Sequence, residues 1–196
     1  MTTYHWYTER NLLSSPTILL IIANVLIFIP ISLNDQLMNL LAQTGDLFFG
    51  GAYWQLFTSL FVHFGITHIL FNMYGLYYFG RLNEQHFSKA QFLAIYFGSG
   101  LLGNIMSLYL IPPDVLSGGA SGAIFGLVGS YVAIERRAQH MGAALLYAAL
   151  IFFMSSLPGA NIFAHLFGLI GGLVLGLIFS STREQAQASF GYTFTT

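Results

Sequence analysis

Charged residues are scarce in this chain of 196 residues: they make up 7% of it, where soluble domains carry roughly 25%. Hydrophobic residues make up 56%, and the mean hydropathy is +0.70. A soluble domain of this size leaves about 30% of its chain's surface in water, so the composition excludes an ordinary cytosolic enzyme and a disordered chain. The net charge of −1 offers no basic field for nucleic acid. The composition predicts a polytopic membrane protein.

Cysteine is absent, and so are segments that resemble linkers. The lack of cysteine excludes disulfide bonds, thiolate metal sites and cysteine nucleophiles. Because no low-complexity tract or linker divides the chain, we expect a single domain over residues 1–196.

Six stretches are apolar over roughly the 20 residues that a helix needs to cross the hydrocarbon core. The sequence therefore predicts an all-α fold, a bundle of six transmembrane helices. We number these helices as spans 1 to 6 and expect them at about residues 17–33, 64–80, 90–111, 117–134, 141–157 and 161–180.

Basic residues lie on one side of this predicted bundle. They precede span 1, separate spans 2 and 3 and spans 4 and 5, and follow span 6: Arg10, Arg81, Lys89, Arg136, Arg137 and Arg183. The connections on the opposite side hold Asp35, Asp46 and Asp114 and no basic residue. Because basic loops stay in the cytoplasm, we expect both termini to be cytoplasmic.

The connection between spans 1 and 2, residues 34–63, mixes aromatic residues with glycines, most densely from Leu47 to Trp54. Tyrosine and tryptophan favour the membrane–water interface, so we expect a membrane-associated loop. Two interpretations remain open, an interfacial anchor or a structured element that guards a site.

Polar side chains inside a bilayer are costly and need a partner or a function. His63, His68 and Asn72 lie at the outer end of span 2, and the latter two share one helix face. Ser121 lies near the start of span 4, and His165 near the start of span 6. Because these three spans all enter from the outer side, we expect their polar residues to meet at one depth.

Glycines recur at every fourth position in spans 4 and 6, and small residues at this spacing let helices approach closely. The two stripes are Gly118, Gly122 and Gly126, and Gly168, Gly172 and Gly176. If the stripes face each other, Ser121 and His165 could come within hydrogen-bond distance. Such stripes also occur where they serve only to pack helices.

Ser121 and His165 fit a nucleophile and its general base. No carboxylate lies beside His165 within a span, which favours a Ser–His dyad over a triad. His68, Asn72 and the backbone N–H of Ser121 could stabilise the oxyanion of a tetrahedral intermediate. Two alternatives are a zinc site made of three histidines, which lacks an intramembrane carboxylate, and a transporter, for which no inverted repeat is visible.

Three motifs, in this order, resemble those of the rhomboid intramembrane serine proteases. They are His63-x4-His68-x3-Asn72 in span 2, Gly119-Ala120-Ser121-Gly122 in span 4, and Ala164-His165-x2-Gly168-x3-Gly172 in span 6. The resemblance covers roughly residues 17–182 and is to the minimal six-helix form of the family.

This resemblance implies that Ser121 is the nucleophile and His165 the general base. It implies that His68, Asn72 and the backbone of Ser121 form the oxyanion hole. It also implies a mobile gate and cap, made of span 5 and the loop before span 6. The family needs neither a cofactor nor a metal, and we expect none here.

Other positions have supporting roles in the resemblance. His63 and Gly119 belong to the matching motifs, and Glu84 matches a position that pins helix ends through hydrogen bonds. Two positions depart from the family. Trp54-Gln55 replaces a frequent Trp-Arg, so we expect no arginine network in the loop, and Phe125 replaces a frequent tyrosine but keeps an aromatic surface for His165.

These features together predict a serine endopeptidase of the cytoplasmic membrane whose active site opens to the extracytoplasmic side. We expect its partners to be the lipid bilayer and single-span membrane proteins, cut near the outer end of their transmembrane helix, with no nucleic acid. The alternative is a catalytically inactive rhomboid-like protein that binds membrane clients. Such a protein would be expected to lack the serine or the histidine, and both are present.

Overall fold

The computed structural model describes residues 14–134 and 161–191, with side chains as far as residue 181. Span 5 and the implied gate and cap lie outside these residues. Within the two ranges the chain is helical, and its one β-type pairing is an isolated bridge between Gln43 and Ser117.

Eight α-helices and one 3-10 turn follow one another in the described ranges. They are α1 (Pro16–Ser32), α2 (Asp35–Leu41), α3 (Gly45–Phe49), α4 (Gln55–Thr58), the turn Ser59–Phe61, α5 (Ile66–Asn83), α6 (Lys89–Leu110), α7 (Ser121–Ile134) and α8 (Ile162–Gly191). Spans 1, 2, 3, 4 and 6 correspond to α1, α5, α6, α7 and α8.

Two boundaries differ from those expected. α7 begins at Ser121 rather than at residue 117, because Gly119 has a φ of +133°, a left-handed conformation that ends any helical path before it. α8 continues to Gly191, past the expected end at residue 180.

Two of the described helices, Lys89–Leu110 and Ile162–Ser181, are long and apolar enough to cross a membrane. A third candidate is the pair Gln55–Phe61 and Ile66–Asn83, which is bent by 92° at its break. α1 and α7 are apolar but shorter. The six-span count and the orientation of the termini stay predictions.

Local sequence signals explain where the long helices start. Ser15 caps α1 by accepting a hydrogen bond from the backbone of Ile18, and Pro16 occupies the first helical position, where its missing N–H costs nothing. Ser88 and Gln91 form a reciprocal capping box at the start of α6. These caps fix the two helix starts at one end of the bundle.

The central helix of the described bundle is α7, in which ten of fourteen residues are buried. It packs against α5, α6 and α8. The main apolar cluster joins α5, α6 and α7 through large side chains that include Leu76, Phe79, Phe92, Ile95 and Leu127. α1 instead exposes Leu19, Ile22, Leu26 and Ile29 on its outer face, which suits contact with lipid chains.

The loop over residues 34–63 is a folded element, since it contains α2, α3, α4 and the 3-10 turn. Gln55 is fully buried at its centre: its amide oxygen accepts from Thr44 N, and its amide nitrogen donates to the carbonyls of Asn39 and Leu40. The indole of Trp54 also donates to Leu40 O. Glutamine therefore builds a loop network of its own where the family often has arginine.

Candidate active site

Ser121 is the first residue of α7, and the segment before it is held by the folded loop. Gly119 N donates to Ser59 O at 2.9 Å, and Ser117 exchanges two backbone hydrogen bonds of 2.8 Å with Gln43. These contacts fix the turn that presents the serine. The turn needs glycine at Gly119, because a side chain is strained at its φ of +133°.

The glycines of α7 and α8 face each other. A Cβ on Gly168 would meet the backbone of Gly122, and a Cβ on Gly172 would meet the backbone of Gly126. Gly118 differs from the expected stripe: it precedes the helix and lies against Val62 and Phe64. The close approach of α7 and α8 brings the first turns of the two helices together.

His165, in the first turn of α8, lies beside Ser121. Its Nε2 is 2.8 Å from Ser121 Oγ, a hydrogen-bond distance, and the residue is 4% exposed. The ring of Phe125 stacks on the imidazole with 4.8 Å between centroids and an interplanar angle of 27°. His165 Nδ1 is buried without a hydrogen-bond partner. No carboxylate contacts this histidine in the described part of the chain.

Asn161 holds the start of α8 in place, a role that the sequence analysis missed. Its amide oxygen accepts from Ala164 N at 3.0 Å, which caps the helix one turn before His165. Its amide nitrogen donates to Ser107 Oγ in α6 at 2.9 Å and to Ser117 Oγ at 2.8 Å. One side chain thus links α8, α6 and the segment that leads to Ser121. An asparagine directly before an apolar helix is a capping signal, but the two serine contacts depend on tertiary structure.

His68 and Ser121 both lie close to Gly119. A side-chain carbon on Gly119 would be 3.0 Å from His68 Nε2 and 3.6 Å from Ser121 Oγ. Both atoms therefore border the same point. His68 Nδ1 accepts a long hydrogen bond, 3.4 Å, from Phe64 N, so Nε2 is the ring nitrogen that can carry the proton on the side of Gly119.

The other two polar residues of span 2 lie close to His68. The ring of His63 is 5.0 Å from that of His68; its Nδ1 is 3.3 Å from Phe61 O, and its Nε2 is buried without a partner. Asn72, one turn after His68, donates one amide hydrogen to His68 O at 2.9 Å, and its Oδ1 is buried without a partner. Both residues therefore contact His68.

Glu84 lies at the opposite end of α5, away from the site. Its Oε1 accepts from Ser15 Oγ at 2.6 Å and from Thr17 N at 2.8 Å, and its Oε2 pairs with Arg81 at 2.7 Å. Burial raises the pKa of the Glu84 carboxyl, but the hydrogen bonds from Ser15 and Thr17 and the charge of Arg81 outweigh it and lower the pKa below its usual value. Glu84 thus ties the start of α1 to the end of α5.

The arrangement brings one hydroxyl group and two imidazole rings together, since Ser121 Oγ lies beside His165 Nε2 and, across Gly119, near His68 Nε2. Within the described residues, no three His, Cys, Asp or Glu side chains are grouped so that they could hold a metal ion.

Comparisons with known proteins match most of the chain. The model of the Rhomboid domain covers residues 50–182. "Putative rhomboid protease YdcA" of Bacillus subtilis (strain 168) is 37% identical over 69% of this chain and 71% of its own length. "Rhomboid protease GluP" of the same organism is 32% identical over 80% of this chain and 33% of its own length. "Rhomboid-like protease 3" of Toxoplasma gondii is 30% identical over 82% of this chain and 65% of its own length.

The matched domain and the apolar helices agree on the class of protein. The domain begins within the folded loop and ends just beyond the apolar part of α8, so it includes all the residues grouped around Ser121. Together they indicate a multi-pass membrane protein with a helical fold. The chain belongs to the rhomboid family.

Proposed function

We propose that this protein is an intramembrane serine endopeptidase that uses a Ser121–His165 dyad. The observation that carries the proposal is the 2.8 Å distance between His165 Nε2 and Ser121 Oγ. A serine hydroxyl is a weak nucleophile unless a neighbouring base takes its proton, and this distance suits that transfer. The names of relatives that include the word protease add independent support.

The reaction then proceeds in two stages. Neutral His165 takes the proton of Ser121 Oγ as the oxygen attacks the carbonyl carbon of the scissile peptide bond. Collapse of the tetrahedral intermediate breaks the C–N bond, and His165 donates its proton to the leaving amine. Water, activated by the same imidazole, then hydrolyses the acyl-enzyme and restores Ser121.

The oxyanion of the intermediate would lie near Gly119, close to His68 and Ser121. His68 Nε2, which would be 3.0 Å from a Cβ on Gly119, is a side-chain donor for it. The backbone N–H of Ser121, at the start of α7, has no partner within its own helix and adds a second donor. Asn72 contributes its remaining amide hydrogen or, through its bond to His68 O, supports the position of His68.

Stacking by Phe125 keeps the imidazole in place without a third catalytic residue. A dyad lacks the carboxylate that orients the histidine in a triad, so another group must restrict the ring. The face of Phe125 does so through a stacked contact at 4.8 Å. The hydroxyl of the tyrosine that the family often has here is not needed for this contact.

The expected substrates are membrane proteins with a single transmembrane helix. The fourteen residues from Ser121 to Ile134 rise about 21 Å, less than the roughly 30 Å of the hydrocarbon core. The charged run Glu135–Arg137 follows at once in the sequence. If this run lies at the cytoplasmic surface, Ser121 lies within the membrane below the outer surface. A substrate helix must unwind there, because a helical peptide bond is shielded and already hydrogen-bonded.

The test is cleavage of a single-span fusion protein in detergent by the wild type, Ser121→Ala and His165→Ala. We expect cleavage by the wild type and loss of at least about 1,000-fold in either variant. Ser180→Ala and His86→Ala are matched controls away from the dyad and should cleave normally. Cleavage that persists in Ser121→Ala would refute the nucleophile.

Labelling with a fluorophosphonate separates the protease from the inactive alternative. This reagent reacts with an activated serine, so we expect labelling of the wild type that Ser121→Ala and His165→Ala both abolish. A wild type that neither cleaves nor labels would instead support a rhomboid-like protein that binds membrane clients.

A further inference from the structure

A polar pocket of about 570 Å³ lies at the end of the bundle that is remote from Ser121. It is formed where the starts of α1 and α6 meet the end of α5. Its lining includes Ser14, Ser15, Glu84, His86, Ser88 and Lys89. None of these residues takes part in the proposed proteolytic reaction.

A second cavity, of about 270 Å³, lies between the starts of α1 and α6. Leu19 and Leu20 of α1 and Leu93 of α6 contribute to its lining. The two cavities share Ser14, Pro16 and Lys89 in their linings, so they adjoin one another. A pocket rich in polar side chains therefore lies beside an apolar groove.

The charge at the junction of the two cavities is positive. The carboxylate of Glu84 is neutralised by Arg81 and accepts from Ser15 and Thr17, so both of its oxygens are occupied. Lys89 is exposed and forms no ion pair with any acidic side chain that the structure describes. Among the side chains that the structure describes, the ammonium group of Lys89 thus has no acidic partner where the two cavities adjoin.

We propose that these cavities bind one anionic phospholipid, with its phosphate at Lys89 and one acyl chain in the groove between α1 and α6. The occupant must carry negative charge at one end and a long apolar chain at the other, and free phosphate satisfies only the first condition. If both termini are cytoplasmic, the site faces the leaflet that is richer in anionic lipids. The proposal does not depend on the proteolytic activity.

The bound lipid strengthens the contact between α1 and α6, which the protein itself makes only weakly. α1 packs closely on α5, where Glu84 also ties the helices together, but it touches α6 sparsely. An acyl chain between α1 and α6 fills this gap, and the phosphate bridges their two starts. A ligand that binds only the folded protein raises its stability, so the lipid should raise the unfolding temperature.

The test measures lipid retention by native mass spectrometry of the full chain in a neutral detergent. Phosphatidylglycerol, phosphatidylcholine and inorganic phosphate are the three probes. We expect one retained phosphatidylglycerol, weaker retention of phosphatidylcholine and no effect of inorganic phosphate on either. Lys89→Gln should weaken phosphatidylglycerol binding about fivefold, as expected for one basic residue near a lipid surface, and Lys89→Arg should keep it. Equal retention of the two lipids, or unchanged binding by Lys89→Gln, would overturn the proposal.

A second pair of variants tests the groove. Leu19→Trp places a large ring in the apolar cavity and should abolish retention of phosphatidylglycerol. Leu26→Trp lies two turns further along α1, at a lipid-exposed residue outside the cavity lining, and should leave retention unchanged. The unfolding temperature without lipid verifies that both variants fold. If the two variants retain the lipid equally, the acyl chain does not occupy this groove.

Discussion

Polar side chains are buried at both ends of α5, but the two ends differ in whether the buried polar atoms have hydrogen-bond partners. At the Glu84 end, every side-chain oxygen and nitrogen of Asn83 and Glu84 has a partner, including a bond from Ser130 Oγ to Asn83 Oδ1 at 2.6 Å. At the His68 end, His63 Nε2, Asn72 Oδ1 and His165 Nδ1 are buried without one. A buried polar atom without a partner costs free energy, so the unpaired atoms need an explanation that the paired ones do not.

We explain this difference by separate functions for the two ends of α5. The paired end holds helices together, and the side-chain hydrogen bonds of Asn83 and Glu84 are complete there, although Thr17 Oγ1 beside them is buried without a partner. The unpaired end keeps donors and acceptors for a reacting group that is absent between turnovers. If this is correct, substitutions at the two ends should separate activity from stability.

Among substitutions that spare the dyad, Gly119→Ala has the largest expected effect on activity. The added methyl group would lie 3.0 Å from His68 Nε2 and 3.6 Å from Ser121 Oγ, and it would strain the backbone at a φ of +133°. We expect kcat/KM to fall at least about 100-fold, the cost of losing one oxyanion donor. Cleavage of the fusion protein gives the rate, and thermal unfolding gives the folded fraction.

Gly51→Ala is the matched control for this variant. Gly51 also has a positive φ, +111°, but a methyl group there meets nothing within 4 Å. It should cost stability by strain alone and leave the activity of each folded molecule unchanged. Equal losses of activity in the two variants would show that the surroundings of Gly119 have no special role.

Glu84→Gln should lower the stability of the protein and leave its activity unchanged, in contrast to Gly119→Ala. Glutamine keeps the shape of the side chain but removes the charge that holds Arg81 and strengthens the bonds from Ser15 and Thr17. We expect a loss of about 1–3 kcal/mol in the free energy of unfolding, because these hydrogen bonds involve a charged group. The activity per folded molecule should not change. A loss of activity without a loss of stability would contradict the division between the two ends.

Acid should weaken the same contact in the wild type. The folded state lowers the pKa of Glu84, so this carboxylate stabilises the protein above its unfolded pKa, and the stabilisation is lost as the pH falls toward the folded value. We expect the unfolding temperature to drop as the pH falls below the ordinary pKa of a glutamate, about 4.3, and to drop less in Glu84→Gln. Parallel pH profiles for the two proteins would assign the acid sensitivity to other carboxylates.

The sequence predicts the elements that depend on local pattern. Apolar runs locate the five described spans, and the glycine spacing predicts the contact between α7 and α8 that brings Ser121 beside His165. The internal structure of the loop is less predictable, because its fold depends on buried contacts such as those of Gln55 with residues more than ten positions away. No local signal marks a glutamine that will be buried and fully hydrogen-bonded.

Contacts between residues far apart in the sequence also explain which features of the site could not be predicted. The hydroxyl groups that Asn161 binds lie 54 and 44 residues away, so no spacing rule could pair them. The late start of α7 depends on the positive φ of Gly119, and the two consecutive glycines, which disfavour a helix, are a local signal for it that an apolar run alone does not take into account.

Asn161 gives the smallest expected effect in the comparison of the two ends, because its side chain both caps α8 and positions His165. Asn161→Ala removes the cap of α8 and the two links to Ser107 and Ser117. We expect a loss of about 1 kcal/mol in stability from the cap and a drop of about tenfold in kcat with little change in KM, since His165 would shift relative to Ser121 by a fraction of an ångström.

Asn34 supplies the matched control, since it caps α2 by accepting from Leu37 N at 3.1 Å. Asn34→Ala should cost similar stability and leave kcat unchanged. Asn161→Asp separates the two functions further, because the carboxylate keeps the cap on Ala164 N but cannot donate to the hydroxyl of Ser107, which already donates to Gly103 O. It should therefore restore stability but not kcat. If kcat instead follows stability in all three variants, Asn161 is a helix cap alone, and the positioning of His165 depends on the glycine contacts and Phe125.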